Sequence, residues 1–212
     1  QVSGLLVNGS SDSDTIRVNI EGLSPTSLPN GLWLVAGEGT GDDDILQLEG
    51  STPVFDYQCV VAGPEAGQLN IDGRMIEFRE FEPIIDNLSV ARRSFVATSG
   101  DEVIYVENDA LAGRSTIHDG GTRRFESLSF INPSESLRLD AGDGADQIYI
   151  HEADPSWTAQ LVVLGGEGDD WLDATNSSVN VELLGEGGVD VLIGGAGDDA
   201  LVGGDGDDNV FG

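Results

Sequence analysis

The last quarter of the chain repeats one short pattern, and this repeat limits what the chain can fold into more than any other feature. Nonapeptides of the form GGxGxDxUx, where U is a large apolar residue, run from 185 to 211 as GEGGVDVLI, GGAGDDALV and GGDGDDNVF, after GGEGDDWLD at 165–173. Looser copies are AGDGADQIY (141–149), TSGDEVIY (98–105), EGTGDDDIL (38–46) and GSSDSDTIR (9–17). A flexible acidic linker would not place an apolar residue at each eighth position, so the repeat predicts regular turns joined by short strands.

The glycines and aspartates of the repeat have a physical reason to occur together. Glycine allows positive φ and tight bends, so that several peptide carbonyl groups point into one small space. The sixth-position aspartate adds a carboxylate, and the apolar residue two positions later begins a strand. Carbonyl and carboxylate oxygens in flexible, six- to eight-fold coordination favour Ca²⁺ over Mg²⁺. One turn supplies half of such a site, and the turn stacked one coil later supplies the other half.

These nonapeptides resemble the calcium-binding repeats of RTX proteins, which are secreted bacterial proteins whose repeats wind into a parallel β-roll. The resemblance is specific over about 165–212 and moderate at 141–149. The upstream part, with GTGDDDILQL and AGPEAGQLNIDGRMIEFREFEP, resembles units of giant tandem-repeat surface proteins of bacteria such as planctomycetes. The first resemblance implies a calcium-binding β-roll, and the second indicates ancestry more than mechanism.

The spacing of the aspartates predicts which turns stack. If two nonapeptides form one coil, positions that differ by 208 − 190 = 18 lie above each other, as Asp190 and Asp208 do. The offsets from Asp146 to Asp170 and from Asp170 to Asp190 are 170 − 146 = 24 and 190 − 170 = 20, so one flank should carry all four, with Asp199 on the opposite flank and its partner beyond Gly212. The predicted calcium ligands are the aspartates and glycines of these turns: Asp146, Asp170, Asp190, Asp199, Asp208, Gly142, Gly144, Gly166, Gly168, Gly195, Gly197, Gly204 and Gly206, with Asp14 and Asp43 upstream. An ordinary solvated turn is an equal alternative at the two upstream positions.

The charge of the chain makes cations important and excludes other partners. There are 39 acidic residues against 9 basic ones, all arginine, for a formal charge of -30. Residues 140–212 hold 17 acids and no basic residue. Such a surface repels nucleic acid and anionic membranes. Two carboxylates about 4 Å apart repel by roughly 4 kcal/mol at an effective dielectric near 20, against a total stability of about 5 to 15 kcal/mol, so we expect this flank to fold only with calcium.

The rest of the sequence predicts an all-β solenoid. No stretch has a helical period, and short β-prone segments such as EVIYVE and VNVELL alternate with turns. We expect a parallel β-helix with wide, irregular coils over 1–139, continuous with a narrow calcium-binding β-roll over 140–212. Two similar stretches, which begin at Ile71 and Ile117, precede acidic turns at Glu102 and Asp146, whose offset is 146 − 102 = 44. No apolar run is long enough to predict a transmembrane helix, and the single Cys59 allows neither an internal disulfide nor a cysteine zinc site.

The expected function is structural. The weak calcium affinity of extracellular modules, about 10⁻⁴ to 10⁻³ M, suits a secreted or cell-surface protein of a matrix, adhesion layer or self-assembling fibre. Expected partners are calcium ions and either other copies of the chain, head to tail, or further repeats of a longer parent chain. We expect no enzymatic activity, because His118 and His151 lie in unrelated loops and no catalytic motif is visible. The alternative is a polysaccharide-acting β-helical enzyme or its accessory module, in which the arginine doublets 92–93 and 123–124 would neutralise a uronate.

Overall fold

The computed structural model describes residues 5–10, 12–23, 31–37, 44–63, 66–121, 125, 127–151 and 156–212, and over these residues the chain consists of β-strands, turns and loops. Buried and exposed side chains alternate along most strands, as in sheets with one buried face. A 3₁₀ turn at Ile20–Gly22 is the only helical element of the described residues, and Asn19 caps it by accepting a hydrogen bond from the backbone N–H of Glu21. The all-β fold class expected from the sequence is confirmed.

The described residues contain twenty strands. The upstream strands are β1 (Leu5–Asn8), β2 (Thr15–Asn19), β3 (Leu32–Val35), β4 (Ile45–Glu49), β5 (Val54–Gly63), β6 (Ala66–Ile71), β7 (Arg74–Arg79), β8 (Ile84–Asp86), β9 (Val90–Val96), β10 (Val103–Asn108), β11 (Arg114–Asp119) and β12 (Leu128–Ile131). The downstream strands are β13 (Ser136–Asp143), β14 (Gln147–His151), β15 (Gln160–Glu167), β16 (Trp171–Asp173), β17 (Val181–Gly187), β18 (Val191–Ile193), β19 (Ala200–Asp205) and β20 (Asn209–Phe211). None of the described segments is a helix of the length and apolarity that crossing a membrane requires.

The strands form two ten-stranded sheets whose buried side chains share one core. The first sheet has the order β1-β3-β7-β6-β5-β9-β13-β15-β17-β19, and the second has the order β2-β4-β8-β12-β11-β10-β14-β16-β18-β20. Both sheets are mixed, because each contains a short antiparallel section between long parallel ones. Pairing continues across residue 140, since β13 pairs in parallel with both β9 and β15.

From β13 onward the chain alternates strictly between the two sheets, and every neighbouring pair is parallel. We use the word coil for one strand of the first sheet followed by one strand of the second. Leu137 pairs with Leu161, and Leu161 pairs with Val181, so successive coils advance the chain by 161 − 137 = 24 and 181 − 161 = 20 positions. Leu183 pairs with Leu201, an advance of 201 − 183 = 18 positions. The coils therefore shorten toward the C-terminus.

The upstream part differs from the purely parallel coils expected there. Strands β5, β6 and β7 form an antiparallel meander in the first sheet, and β10, β11 and β12 form another in the second. Residues Asp72 and Gly73, with φ of 48° and 81°, make the two-residue turn that reverses β6 into β7. Positive φ at both central residues is the geometry of a hairpin turn, for which Asp-Gly is a preferred sequence. The two similar stretches from Ile71 and Ile117 thus lead into the last strands of two corresponding meanders, in opposite sheets.

A buried ion pair joins the two sheets where the meanders meet. Arg93 of β9 is 2% exposed, and its Nη1 donates to Oδ2 of the buried Asp86 of β8 over 2.6 Å. The guanidinium carbon also lies 4.2 Å from the ring centre of Tyr57 and 4.9 Å from that of Phe130. Cys59 lies in the same region of the core, where burial raises the pKa of its thiol to about 12. Aromatic packing and this ion pair hold the upstream core, whereas the downstream core is mainly aliphatic.

Candidate metal site

The glycine-rich turns stack so closely that a side chain would not fit between them. Gly166 and Gly168 have φ of 110° and 129°, and a Cβ on either residue would overlap the carbonyl oxygen of Gly142 or Gly144 in the preceding coil. The next coils repeat this relation at the same positions, where Gly188 lies over Gly168. Each turn therefore presents its carbonyl oxygens to the turn above it, as the sequence predicts for this motif.

The sixth-position aspartates form one column along this flank, which we call the carboxylate column: Asp146, Asp170, Asp190 and Asp208. The backbone N–H of Asp146 donates to Oδ1 of Asp170 over 2.8 Å, and that of Asp170 donates to Oδ1 of Asp190 over 2.9 Å. The N–H of Asp190 donates to Oδ1 of Asp208 over 3.0 Å. The stacking at intervals of 24, 20 and 18 residues that the sequence predicts is therefore present.

The second carboxylate oxygen in each of the first three members of the column is buried without a hydrogen-bond partner. This holds for Oδ2 of Asp146, Asp170 and Asp190, whose residues are 0%, 2% and 0% exposed. Oδ2 of Asp170 points at the backbone of Gly165, and an added Cβ there would also come within 2.9 Å of the carbonyl oxygen of Gly185 in the next coil. A buried carboxylate oxygen with no partner is unfavourable unless a proton or a cation compensates it.

Burial also changes the pKa of the first three aspartates of the column. Burial, assisted by the charges of Glu102 and Asp170, raises the pKa of Asp146 to about 7. Burial and the charge of Asp190 raise the pKa of Asp170 to about 6, and burial also raises the pKa of Asp190. Hydrogen bonds from backbone N–H groups favour the ionised form of all three but do not compensate for burial. Asp146, Asp170 and Asp190 thus hold protons more tightly than free aspartate does.

The donors of these turns fit a hard cation. The stacked turns carry both buried carboxylate oxygens and peptide carbonyl oxygens that face the next turn, and oxygen ligands of both kinds are typical of calcium sites. Among the described residues there is no cluster of three or more His, Cys, Asp or Glu side chains arranged to hold a metal ion. Backbone carbonyl groups would therefore have to supply most of the ligands in this column, as the glycine turns allow. The role of these residues as metal ligands stays a prediction.

The other predicted ligands downstream lie on the opposite flank. Asp199 accepts hydrogen bonds from the N–H of Val181 on Oδ1, over 3.0 Å, and from the N–H of Gly195 on Oδ2, over 2.7 Å. Its hydrogen-bond partner in the preceding coil is thus Val181, and the partner turn that the sequence predicts one coil later, beyond Gly212, stays a prediction. Gly195 and Gly197 face the carbonyl groups of the loop at 174–179, which carries no acid. Over the residues that the structure describes here, this flank has one sixth-position aspartate where the column has four.

The upstream turns repeat part of the pattern. The N–H of Asp14 donates to Oδ1 of Asp44 over 2.6 Å, and Oδ2 of Asp14 accepts hydrogen bonds from the N–H and hydroxyl of Ser10. Asp43, the predicted ligand in this turn, lies outside the described residues. Asp44, which is 4% exposed, stacks on Asp14 as the members of the carboxylate column stack on one another. The regular offset of the aspartates, two residues before an apolar strand position, fits both Asp43, before Ile45, and Asp44, before Leu46, so the sequence does not distinguish them.

The two histidines, which the sequence places in separate loops, lie instead on strands β11 and β14, on either side of β10. His118 and His151 both lie beside Glu107 on the outer face of the second sheet, at 3.3 Å and 3.5 Å from different carboxylate oxygens. Arg92 is exposed and makes a two-fold hydrogen bond with Asp56, whereas Arg93 is buried in the core. The doublet 92–93 therefore does not form one surface, and the doublet 123–124 lies outside the described residues.

Comparison with models of known protein families finds none that matches this chain, and comparison with curated proteins finds no significant match.

Proposed function

We propose that this chain is a calcium-stabilised structural segment of a secreted or cell-surface protein, wound as a β-solenoid that contains two antiparallel meanders upstream and narrows into a parallel, RTX-like β-roll. The observation that carries the proposal is the carboxylate column, in which the buried Oδ2 atoms of Asp146, Asp170 and Asp190 lack a partner while carbonyl oxygens of glycine turns surround the same flank. The strict alternation of β13–β20 between two sheets supports the solenoid.

Calcium bound along the column would neutralise the carboxylates that raise one another's pKa. The ion supplies positive charge and flexible oxygen coordination, while the chain positions the ligands by stacking its turns. Binding and folding of this flank would then share one free energy, because the ligands from two coils meet only in the folded state. The function of the ion in this proposal is to hold coils together, and no reaction is assigned to it.

An extracellular location follows from the same chemistry. Sites made of single carboxylates and carbonyl groups are expected to bind weakly, in the range of about 10⁻⁴ to 10⁻³ M found for extracellular calcium modules. Calcium outside cells reaches that range. The charge of -30 further opposes association with nucleic acid or anionic membrane, so the proposed partners are calcium and other protein.

Association between copies of the chain belongs to this proposal and has support at the outermost strands. Leu5 of β1 and Val210 of β20 occupy inward-facing positions, since each pairs with a buried residue of the next strand, yet both are 47% exposed. Sedimentation velocity at rising protein concentration in millimolar calcium tests it. Larger species in wild type that are reduced by Val210→Lys, but not by Leu111→Lys in an exposed loop, would support association, and a monomer at every concentration would refute it.

The central experiment is a calcium titration of the metal-free chain followed by circular dichroism and thermal melting, with magnesium as the control ion. A calcium-specific gain in β-signal and melting temperature is expected, and Asp190→Asn should reduce it. The matched control is Glu77→Gln, which removes an exposed charge on the outer face of β7. If calcium and magnesium act equally, or if the two variants respond equally, the proposal is wrong.

A further inference from the structure

The turn before β10 has the geometry of the repeat although its sequence is only a loose copy. Residues 97–102 read ATSGDE, with one glycine and with glutamate at the sixth position. A Cβ on Gly142 would lie 2.5 Å from the carbonyl oxygen of Thr98, and one on Gly144 would lie 2.5 Å from that of Gly100. Gly166 and Gly168 have the same relation to Gly142 and Gly144 one coil later. The turn at 97–102 therefore presents its carbonyl groups as the glycine-rich turns do.

The hydrogen bonds of this turn also match those of the carboxylate column. The N–H of Glu102 donates to Oδ1 of Asp146 over 2.7 Å, which continues the series made by the aspartates. At the fifth position Asp101 accepts from the N–H of Ala145 over 3.0 Å, as Asp169 accepts from Val189 over 2.8 Å. Both bonds span one coil in register, so Glu102 occupies the place that aspartate occupies in the next four turns.

The space between Glu102 and Asp146 contains the donors that a cation needs. Glu102 is 1% exposed, and its Oε1 accepts a hydrogen bond from the hydroxyl of Thr98. Oδ2 of Asp146 is fully buried and has no hydrogen-bond partner. Two acidic side chains have thus been withdrawn from water at one place, beside the carbonyl groups of Thr98 and Gly100, and buried charges of like sign are stable only when a proton or a cation joins them.

We propose that a calcium ion binds between the turn at 97–102 and the turn at 141–146, with the carboxylates of Glu102 and Asp146 among its ligands. This inference rests on the proposed calcium function of the column and extends it one coil upstream, to the looser copy of the repeat at 98–105. The coil that this ion closes is 146 − 102 = 44 residues long and contains β11 and β12. The ion would join the metal-dependent downstream part directly to the second meander.

The test is the number of calcium ions bound per chain, measured by isothermal titration calorimetry of the full metal-free chain with calcium chloride and checked by elemental analysis after gel filtration. Glu102→Gln should bind one ion fewer than wild type, because the neutral amide keeps the hydrogen bond with Thr98 but loses the charge. Asp190→Asn should also bind fewer ions, and Glu77→Gln should bind the wild-type number. Glu102→Asp keeps the charge on a shorter side chain and should restore the ion with a higher dissociation constant.

The outcomes separate this inference from the function on which it rests. Loss of one ion in Glu102→Gln with its recovery in Glu102→Asp supports the inference. If Glu102→Gln binds the wild-type number while Asp190→Asn binds fewer, the inference is wrong and the calcium column stands. If neither variant changes the number, or wild type binds no calcium, both are wrong. Circular dichroism of each variant in calcium shows whether Glu102→Gln is misfolded. If it is, Glu102→Asp decides: a higher dissociation constant for one ion supports the inference, and unchanged affinity for every ion refutes it.

Discussion

In the absence of metal, Asp146 should destabilise the folded chain at neutral pH, so that its replacement by asparagine increases stability. Burial and neighbouring carboxylates raise the pKa of Asp146 from 3.8 to about 7 in the folded state. Between these two pH values the folded chain therefore binds more protons than the unfolded chain does. The free energy of unfolding must then fall as the pH rises from about 4 to about 7. Above pH 7 Asp146 is ionised in both states, and its destabilising effect no longer changes with pH.

The size of the effect follows from the shift in pKa. Each unit corresponds to about 1.36 kcal/mol, so ionised Asp146 at pH 8 opposes folding by up to about 4 kcal/mol, of which about 3 kcal/mol develops between pH 5 and pH 8. Asparagine has nearly the same shape and keeps a side-chain oxygen. Asp146→Asn should therefore stabilise the metal-free chain at pH 8 by a few kcal/mol and change it much less at pH 5.

Urea unfolding of chelator-treated wild type and Asp146→Asn at pH 5 and pH 8, followed by circular dichroism, measures this difference. The comparison with the variant is essential, because the charge of -30 makes any such chain less stable at higher pH. In saturating calcium the sign should reverse, since the variant lacks a proposed ligand. Equal pH dependence of the two proteins without metal, or a destabilised variant at pH 8, would refute the electrostatic reasoning.

Three further changes test other parts of the structure. Gly166→Ala should destabilise the chain more than twice as much as Gly113→Ala, as the two urea midpoints would show. Both glycines have positive φ, which costs a side chain about 1 to 2 kcal/mol, but only a Cβ on Gly166 would also overlap a carbonyl oxygen. Arg93→Met leaves Asp86 buried without its partner and should reduce the free energy of unfolding by about 3 to 5 kcal/mol, whereas Arg92→Met on the surface should change it by less than about 1 kcal/mol. Asp199→Asn should bind the same number of calcium ions as wild type, in contrast to Asp190→Asn, because no other sixth-position aspartate stacks on Asp199 in the described residues. Loss of one ion in calorimetry would contradict this and indicate a calcium site on that flank.

The part of the fold that the sequence predicts well is the part with a period. The spacing alone predicts the stacking of Asp146, Asp170, Asp190 and Asp208, because each coil is two short strands and two turns with little freedom in length. Asp44 could not be predicted in this way, since Asp43 and Asp44 both stand two residues before an apolar residue, Ile45 and Leu46, and the spacing does not choose between them. Glycine is required only where turns stack closely, and a turn such as 97–102 can keep that geometry after most of its glycines have been replaced.

Two features were missed although the sequence contains a signal for each. The Asp72-Gly73 dipeptide between apolar runs is a preferred hairpin turn, and it predicts an antiparallel pair where parallel coils were expected. The doublet at 92–93 was interpreted as a surface feature, but neighbouring residues of a strand point to opposite faces. One of the two arginines in VARRSFV had to face the core, and only its partner Asp86, seven residues earlier on another strand, makes that possible.

The decrease in coil length from 24 to 20 to 18 residues predicts an order in which the coils fold. The entropy lost in closing a loop grows with its length, so the shortest coil, at the C-terminal end, is the easiest to form. Each further coil then pairs with an edge that is already formed, and the 44-residue segment between Glu102 and Asp146 should close after the three shorter coils. We therefore expect these coils to form from the C-terminal end toward Glu102 and to open in the reverse order, with the 44-residue segment opening first.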